Sequence, residues 1–275
     1  LNILYLIFRT ISFRNPFPIQ LSLKCAKDIS KLRTAIIEND PSFIIIYWEF
    51  SCSISFITYT LNREDKEVYN VMHGDKHYYA KHAFFEVNQC YCWNNYYIEL
   101  FKEVFVKSEF IKFNNPAFEL KKNEVHWLQL NPPNNIGIVA PHTSTLTDKS
   151  KDLKDYISKF SKIMNKLALN NNLTIRTHPK YKQDFDIFKK YLSNQVTIEE
   201  ANERNARFFI LESYVIIGTV SSILIEAAYL GKNVIIINTP SIGTVQNYHY
   251  LYNLPNVYIV NLEELDKKIY ALNKS

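Results

Sequence analysis

The stretch Tyr214-Val-Ile-Ile-Gly-Thr-Val-Ser-Ser-Ile-Leu-Ile-Glu-Ala-Ala-Tyr-Leu-Gly-Lys232 leads from a buried strand, through a hydroxyl-rich turn, directly into a helix. Such a turn suits phosphate, because the backbone N–H groups that begin a helix have no partner within it and stabilise an anion. Here these groups belong to residues 220–223, and the hydroxyls of Ser221 and Ser222 stand beside them as further donors. The alternative interpretation is that Thr219 or Ser221 only caps the helix.

Outward from this turn, the second half of the chain alternates short apolar runs with amphipathic helical segments, which is typical of a parallel sheet covered by helices. The predicted strands are Ile136–Ala140, Leu173–Thr177, Val196–Ile198, Val215–Gly218, Val234–Asn238 and Val257–Val260. The predicted helices are Lys149–Asn170, Lys182–Leu192, Asn202–Glu212, the segment that follows the two serines, and Leu262–Leu272. The predicted fold class is therefore α/β.

The carboxyl ends of these strands are mostly small, hydroxylated or basic, and a ligand of an open α/β sheet lies at this edge. The strand ends are Pro141-His142-Thr143-Ser144, Arg176-Thr177-His178-Pro179, Gly218-Thr219-Val220-Ser221-Ser222 and Asn238-Thr239-Pro240-Ser241. Proline favours extended geometry in the residue before it, so His178 is expected to project from the end of its strand. An isolated His-Pro pair is more often a structural strand exit, but beside the serine turn a phosphate-binding role is favoured.

The first half of the chain is less regular. It holds a predicted helix and two predicted strands, at Leu21–Ile37, Phe43–Trp48 and Val68–Met72. Glu49 follows the first strand and His73-Gly74-Asp75 follows the second, so reactive side chains again stand at strand ends. The aromatic-rich segment Phe84–Phe101 is expected to serve packing, with a sugar-stacking platform as the less favoured alternative.

Composition limits the classes of function. The 275 residues are 47% apolar and 21% charged, which is sufficient for two domains with proper cores. A net charge of +5 favours anionic partners such as nucleotide-sugars or an acidic membrane face. The lysines and arginines are nevertheless scattered, which argues against a nucleic-acid-binding protein. No apolar run approaches the ~20 residues that span a bilayer, and no signal peptide is expected.

The sequence offers no pattern typical of a metal site. The four cysteines lack metal-ligand spacing and fit a reduced, cytoplasmic setting. The nearest match to Asp-x-Asp, Asp184-Phe-Asp186, lies in a predicted helix and is expected to face solvent. We therefore expect no metal and no cofactor.

Several motifs resemble those of the GT-B glycosyltransferases of bacterial surface-polysaccharide synthesis. Arg176-Thr-His178-Pro179 followed by Thr219-Val-Ser221-Ser222 resembles the His-Pro and Ser-Ser motifs of bacterial sialyltransferases and capsule polymerases. His73-Gly74 is similar to the His-Gly motif of teichoic-acid polyol-phosphate polymerases and capsule Kdo transferases. The match covers residues 69–240 and places Glu226 one helical turn after the serines.

The resemblance implies two Rossmann-like domains whose parallel sheets face each other across a cleft: an acceptor-side domain at residues 1–130 and a nucleotide-sugar domain at 131–275. It implies a CMP- or CDP-linked donor, whose phosphate contacts His178 and the two serines while Glu226 reaches the ribose. The residues assigned to nucleotide binding are Thr143, Ser144, His178, Pro179, Thr219, Ser221, Ser222 and Glu226. The base that deprotonates the acceptor hydroxyl is expected to be His73, with Glu49 and Asp75 as alternatives.

Several alternatives stay open. The acidic motif that supplies the base in sialyltransferases is missing, which puts sialic acid in doubt as the donor and leaves Kdo or a polyol-phosphate. The acceptor is expected to be a glycan or glycolipid, with peripheral contact to the inner membrane face left open. The competing functions are a nucleotide-sugar 2-epimerase and a non-catalytic partner subunit of the same fold.

Overall fold

The computed structural model describes residues 17–47, 52–72, 85–103, 107–141, 150–179, 182–219, 221–238, 251 and 254–273. The chain divides into two compact units, Leu1–Asn115 and Pro116–Ser275. This division falls earlier than the boundary after residue 130 that the sequence predicted. The reason is local packing, since the ring of Phe118 stacks on Tyr229 of the second unit with 4.5 Å between centroids.

The first unit is a four-stranded parallel sheet with helices. Its strands are β1 (Phe43–Ile46), β2 (Glu67–Val71), β3 (Gln89–Cys92) and β4 (Glu109–Lys112), and its helices are α1 (Phe17–Asn39), α2 (Cys52–Asn62) and α3 (Asn95–Glu103). The strands lie in the order β1-β2-β3-β4, and every neighbouring pair is parallel. The predicted strand at 43–48 is therefore present as β1, and the predicted helix at 21–37 as α1.

One face of this sheet forms the core of the first unit. Val68, Asn70, Cys90 and Cys92 alternate along β2 and β3 and are completely buried. Residues between them, such as Tyr91, remain partly exposed. The aromatic-rich segment serves packing as predicted, because the rings of Tyr97 and Phe101 are also completely buried.

The second unit is a six-stranded parallel sheet between two layers of helices. Its strands are β5 (Asn135–Val139), β6 (Asn172–Arg176), β7 (Thr197–Glu199), β8 (Ser213–Gly218), β9 (Asn233–Asn238) and β10 (Val257–Asn261). Its helices are α4 (Lys122–Leu130), α5 (Ser150–Ala168), α6 (Lys182–Tyr191), α7 (Ala206–Glu212), α8 (Ser222–Tyr229) and α9 (Leu265–Leu272). The strand order is β10-β9-β8-β5-β6-β7.

Apolar residues cover both faces of this sheet, as the continuous apolar runs predict. On one face, Ile138 and Ile217 join Phe160 of α5 and Phe188 of α6 in one buried cluster. On the other face, β5 approaches α7 so closely that a Cβ on Gly137 would lie 2.9 Å from a ring carbon of Phe209. Glycine at this position is therefore required by packing.

Two details differ from the sequence-based expectations. Helix α7 begins at Ala206 instead of Asn202, because the Asn205 side chain caps it by accepting a hydrogen bond from the Arg207 N–H at 2.8 Å. The expectation that Asp184 faces solvent is wrong, since this residue is completely buried. Asp184 lies in the first turn of α6, where the helix dipole stabilises a carboxylate.

Candidate functional site

A cavity of about 310 Å³ lies at the carboxyl edge of the second sheet. It is lined by the ends of three strands and by the start of α8, through Val139, Arg176, Thr177, His178, Pro179, Ala201, Ala206, Ser221, Ser222 and Ile223. The His-Pro and Ser-Ser turns that the sequence singled out therefore share one cavity.

The strand order explains why these two turns meet. From β5 the chain proceeds to β6 and β7 on one side and then returns to β8 on the other side. Such a reversal leaves a crevice at the carboxyl ends of the strands, which is where α/β sheets bind ligands. Because only β5 separates β6 from β8, their ends stand about 10 Å apart, at ~4.8 Å per strand.

The turn between β8 and α8 gives its hydroxyl groups different roles. Ser221 has extended backbone geometry and caps α8, since its Oγ accepts a hydrogen bond from the Ile223 N–H at 3.2 Å. The capping interpretation is therefore confirmed for Ser221. Ser222 is the first residue of the helix and is exposed, whereas Thr219 is buried. Of these three hydroxylated residues, Ser222 is the most exposed to solvent.

Gly218 ends β8 at a point of close approach. A Cβ at this position would lie 3.2 Å both from Leu224 Cδ2 on α8 and from Val139 Cβ on β5. The absent side chain lets the start of α8 lie close against the strand ends. This closeness places the first turn of α8, with Ser222 and Ile223, at the wall of the cavity.

The turn after β6 projects a histidine, as the proline after it predicted. Thr177 is buried, and its N–H donates to the Glu199 carbonyl at 3.0 Å, which continues the pairing with β7 for one more residue. His178 follows at the rim of the cavity and is half-buried. The histidine therefore stands on a turn fixed by backbone hydrogen bonds.

Arg176 lines the same cavity. It belongs to the Arg-Thr-His-Pro motif, but the sequence analysis did not include it among the nucleotide-binding residues. Its side chain is only 5% exposed and pairs with Glu199 on β7. Its guanidinium also donates to the carbonyls of Ala201 and Arg204, at 2.6 and 2.7 Å. Arg204 in turn pairs with Glu199 and with Glu212. Burial opposes the charge on Arg204, but the hydrogen bonds that it donates to Glu212 and Glu199 outweigh this effect and raise the pKa of the guanidinium.

A second charged cluster lies one helical turn beyond the serines. Arg207 on α7 donates to Glu226 Oε1 at 3.0 Å and to both oxygens of Glu124 on α4, at 3.0 and 2.8 Å. Its hydrogen bonds hold the pKa of the Glu124 carboxyl below its ordinary value. Glu226, which the resemblance assigned to the ribose, is therefore part of an ion pair in the structure.

The other predicted site residues lie outside the described part of the chain. These are the candidate bases His73, Glu49 and Asp75, and the hydroxylated residues Thr143 and Ser144. Val220, whose N–H was expected to face phosphate, lies outside it as well. Their assignments stay predictions from the sequence.

No protein-family model matches this chain, and no curated protein matches its sequence. Solved structures, in contrast, resemble it in fold. The Methanocaldococcus jannaschii UDP-GlcNAc 2-epimerase, solved with UDP-GlcNAc and UDP, is 11% identical with a TM-score of 0.59 over 90% of this chain and 73% of its own. S. aureus MnaA, solved with UDP, is 13% identical with a TM-score of 0.63 over 93% of this chain and 73% of its own.

The wall teichoic acid polymerase TagF is a third structural relative, 14% identical with a TM-score of 0.51. Here the similarity covers 77% of this chain and 60% of that polymerase. At these identities the likeness concerns the fold. This protein therefore has the α/β fold with two parallel sheets, of GT-B type, that its sequence predicted.

Proposed function

We propose that the cavity of the second unit binds the phosphate of a nucleotide-activated sugar. The observation that carries this proposal is the meeting of three hydrogen-bond donors at one cavity: the N–H of Ser222, which begins α8, the exposed Ser222 hydroxyl and the His178 ring. Buried Arg176 lines the same wall, where Glu199 neutralises its charge. Donors of these kinds stabilise phosphate at the start of a helix. Thr143, Ser144, Pro179 and Thr219 are proposed to complete the site around them.

The reaction that we propose is metal-independent glycosyl transfer with inversion, in bacterial capsule, lipooligosaccharide or cell-wall glycan synthesis. The oxygen of the acceptor hydroxyl would attack the anomeric carbon of the donor sugar, and the bond between that carbon and the nucleotide phosphate oxygen would break. Donors fixed around the phosphate stabilise the negative charge that develops on it, without reorganising during the reaction. His73, or else Glu49 or Asp75, is proposed to take the proton of the acceptor hydroxyl.

The identity of the bound nucleotide is the first property to test. The motif resemblance favours CMP or CDP, and structural relatives solved with UDP add that nucleotide to the candidates. A ligand that binds only the folded state raises the melting temperature, so melting curves with CMP, CDP, UDP and GDP should identify the preferred one. A protein that none of these nucleotides stabilises would contradict the proposed site.

A second candidate is a nucleotide-sugar 2-epimerase. It is supported by the UDP-GlcNAc 2-epimerases among the structural relatives, which match 90% or more of this chain, whereas TagF matches 77%. An epimerase would convert UDP-GlcNAc to its 2-epimer without any acceptor. A transferase would release free nucleotide only when an acceptor is present. A non-catalytic partner subunit would bind nucleotide without either reaction.

We also propose that the protein works in the cytoplasm on a glycan or glycolipid acceptor. None of the helices among the described residues is both long and apolar enough to cross a membrane. The net charge of +5 supports peripheral contact with an acidic membrane face. Washing membranes in high salt should release the protein, because salt screens such contacts. Retention on salt-washed membranes would contradict this part of the proposal.

A further inference from the structure

The loop between β7 and α7, residues 200–205, forms one wall of the cavity. Ala201 within the loop and Ala206, the first residue of α7, both line the cavity. The structure describes all of this loop, and none of its residues is buried. Apolar packing therefore contributes little to the position of the loop, and polar contacts have to fix it.

Arg176, at the end of β6, holds this loop by its backbone. One terminal nitrogen of the guanidinium, Nη2, donates to the Ala201 carbonyl at 2.6 Å and to the Arg204 carbonyl at 2.7 Å. The other, Nη1, donates to Glu199 Oε1 on β7. The guanidinium carbon also lies 5.8 Å from the ring centroid of Phe209 on α7, which is completely buried. The group that holds the loop is therefore itself held by β7 and α7.

The charge of Arg176 is balanced inside the protein. Glu199 accepts from Arg176 through one carboxylate oxygen and from Arg204 through the other, the latter at 3.0 and 2.7 Å. Arg204 also pairs with Glu212, so two arginines and two glutamates balance one another. Arg176 is therefore suited to shaping the cavity and not to supplying a net charge to it. Glu199 also keeps a cationic partner if Arg176 is replaced, so no buried carboxylate is left unpaired.

We infer that Arg176 is a positioning residue that holds the loop at residues 200–205 in the conformation that the bound nucleotide requires. This inference rests on the proposed function. A wall that is fixed before binding removes the entropy cost of ordering it when the ligand binds. Without the guanidinium, the loop of the free protein would sample other conformations, and the nucleotide would have to order it.

Hydrogen exchange of two loop amides tests whether Arg176 holds the loop. The Glu200 N–H donates to Glu203 Oε2, and the Glu203 N–H donates to the Glu200 carbonyl, both at 3.0 Å, so both amides report on the loop conformation. In Arg176→Met they should exchange roughly tenfold to a hundredfold faster, the scale of one hydrogen bond to a charged group. The amides of β8, a central strand, should keep their wild-type exchange rates. Saturating UDP or CDP should slow the loop amides of the variant again.

Calorimetric titration with UDP and CDP tests whether the loop serves the site. Arg176→Met should weaken nucleotide binding by about tenfold, the cost of ordering one or two side chains on binding. Arg176→Lys keeps a cation beside Glu199 but lacks the planar guanidinium, so it should show both changes even if the Met variant does not fold. Lys232→Met is the matched control, because the Lys232 amine also donates to a carbonyl of the second unit, that of Leu211, outside the loop. It should leave loop exchange and affinity within about twofold of the wild type.

Four outcomes would overturn the inference. Equal acceleration of the loop and β8 amides would make Arg176 a residue of general stability. Weaker affinity with unchanged loop exchange would make it a direct contact of the ligand. Faster loop exchange with unchanged affinity would show that the loop does not serve the nucleotide site. Failure of the wild-type protein to bind either UDP or CDP would overturn the proposed function, and this inference with it, whatever the exchange rates are.

Discussion

The two adjacent serines before α8 should respond differently to the same substitution. Ser221→Ala removes the cap of α8, which costs about 1 kcal/mol of unfolding free energy in typical helices. For a unit of this size, that cost corresponds to a melting temperature about 2–4 °C lower. Ser222→Ala removes an exposed hydroxyl that has no capping role, so the melting temperature should stay within about 1 °C of the wild type.

Nucleotide affinity should show a different pattern. Ser222 is proposed to donate to a phosphate oxygen, and a hydrogen bond to a charged group contributes ~1.5–3 kcal/mol, so Ser222→Ala should weaken binding by roughly tenfold to a hundredfold. His178→Ala should lose a similar amount, and the double variant less than the sum, because both side chains would hold one phosphate.

Melting curves and calorimetric titration of the same preparations separate the two roles. Asn94→Ala is the matched control, because Asn94 Oδ1 accepts from the Tyr97 N–H at 3.3 Å near the start of α3 in the first unit. It should lower the melting temperature without changing nucleotide affinity. Unchanged affinity in both Ser222→Ala and His178→Ala, with the fold intact by circular dichroism, would refute the phosphate site.

Further substitutions test the core, a buried amine and the proposed chemistry. Gly137→Ala should lower the free energy of unfolding, measured with urea, by ~1–3 kcal/mol or more, because the new Cβ would lie 2.5 Å from the Ser213 hydroxyl. An unchanged urea midpoint would contradict this close packing. Burial lowers the pKa of Lys232, whose amine donates to the Leu211 carbonyl at 2.9 Å, to about 8 from 10.5. Between pH 8 and 10.5 the unfolded chain therefore binds more protons at this amine than the folded chain, so the free energy of unfolding should rise with pH across that window. In Lys232→Met, the free energy of unfolding measured over the same pH range should rise less steeply. His73→Ala should lower turnover by a factor of ~10²–10⁴ and leave nucleotide affinity unchanged. Near-normal turnover in this variant would instead indicate Glu49 or Asp75 as the base. Excess EDTA should leave transferase activity intact, and loss of activity that Mg²⁺ restores would contradict the metal-independent mechanism.

The second sheet was predictable because its strands are buried on both faces. The run Val234–Ile237 is apolar without interruption and is completely or almost completely buried, as a central parallel strand requires. In the first sheet, the apolar pattern did not predict strand β3. Along this strand, Gln89 and Tyr91 alternate with buried Cys90 and Cys92, so only four residues carry the signal and two of them face outward.

The charged clusters could not be predicted from the sequence. Arg207 and Glu124 are 83 positions apart, and Arg176 and Glu199 are 23 positions apart. Nothing local marks such residues as partners, because lysines, arginines and acids are scattered along the chain and most of them are exposed. Only the strand order, which returns the chain to β8 beside β5, brings α4, α7 and α8 together.

The role of each serine depends on where the helix begins, and sequence patterns do not fix that to one residue. If α8 began one residue earlier, Val220 would occupy the capping position, and no side-chain oxygen would be available there to accept an N–H. Capping by Ser221 thus fixes the start of the helix and at the same time commits that hydroxyl oxygen to the Ile223 N–H. The second serine then becomes the first helical residue, where its own N–H needs no intrahelical partner and its hydroxyl remains exposed. A Ser-Ser pair at this position therefore supplies one hydroxyl that caps the helix and another that is exposed where we propose that the phosphate binds.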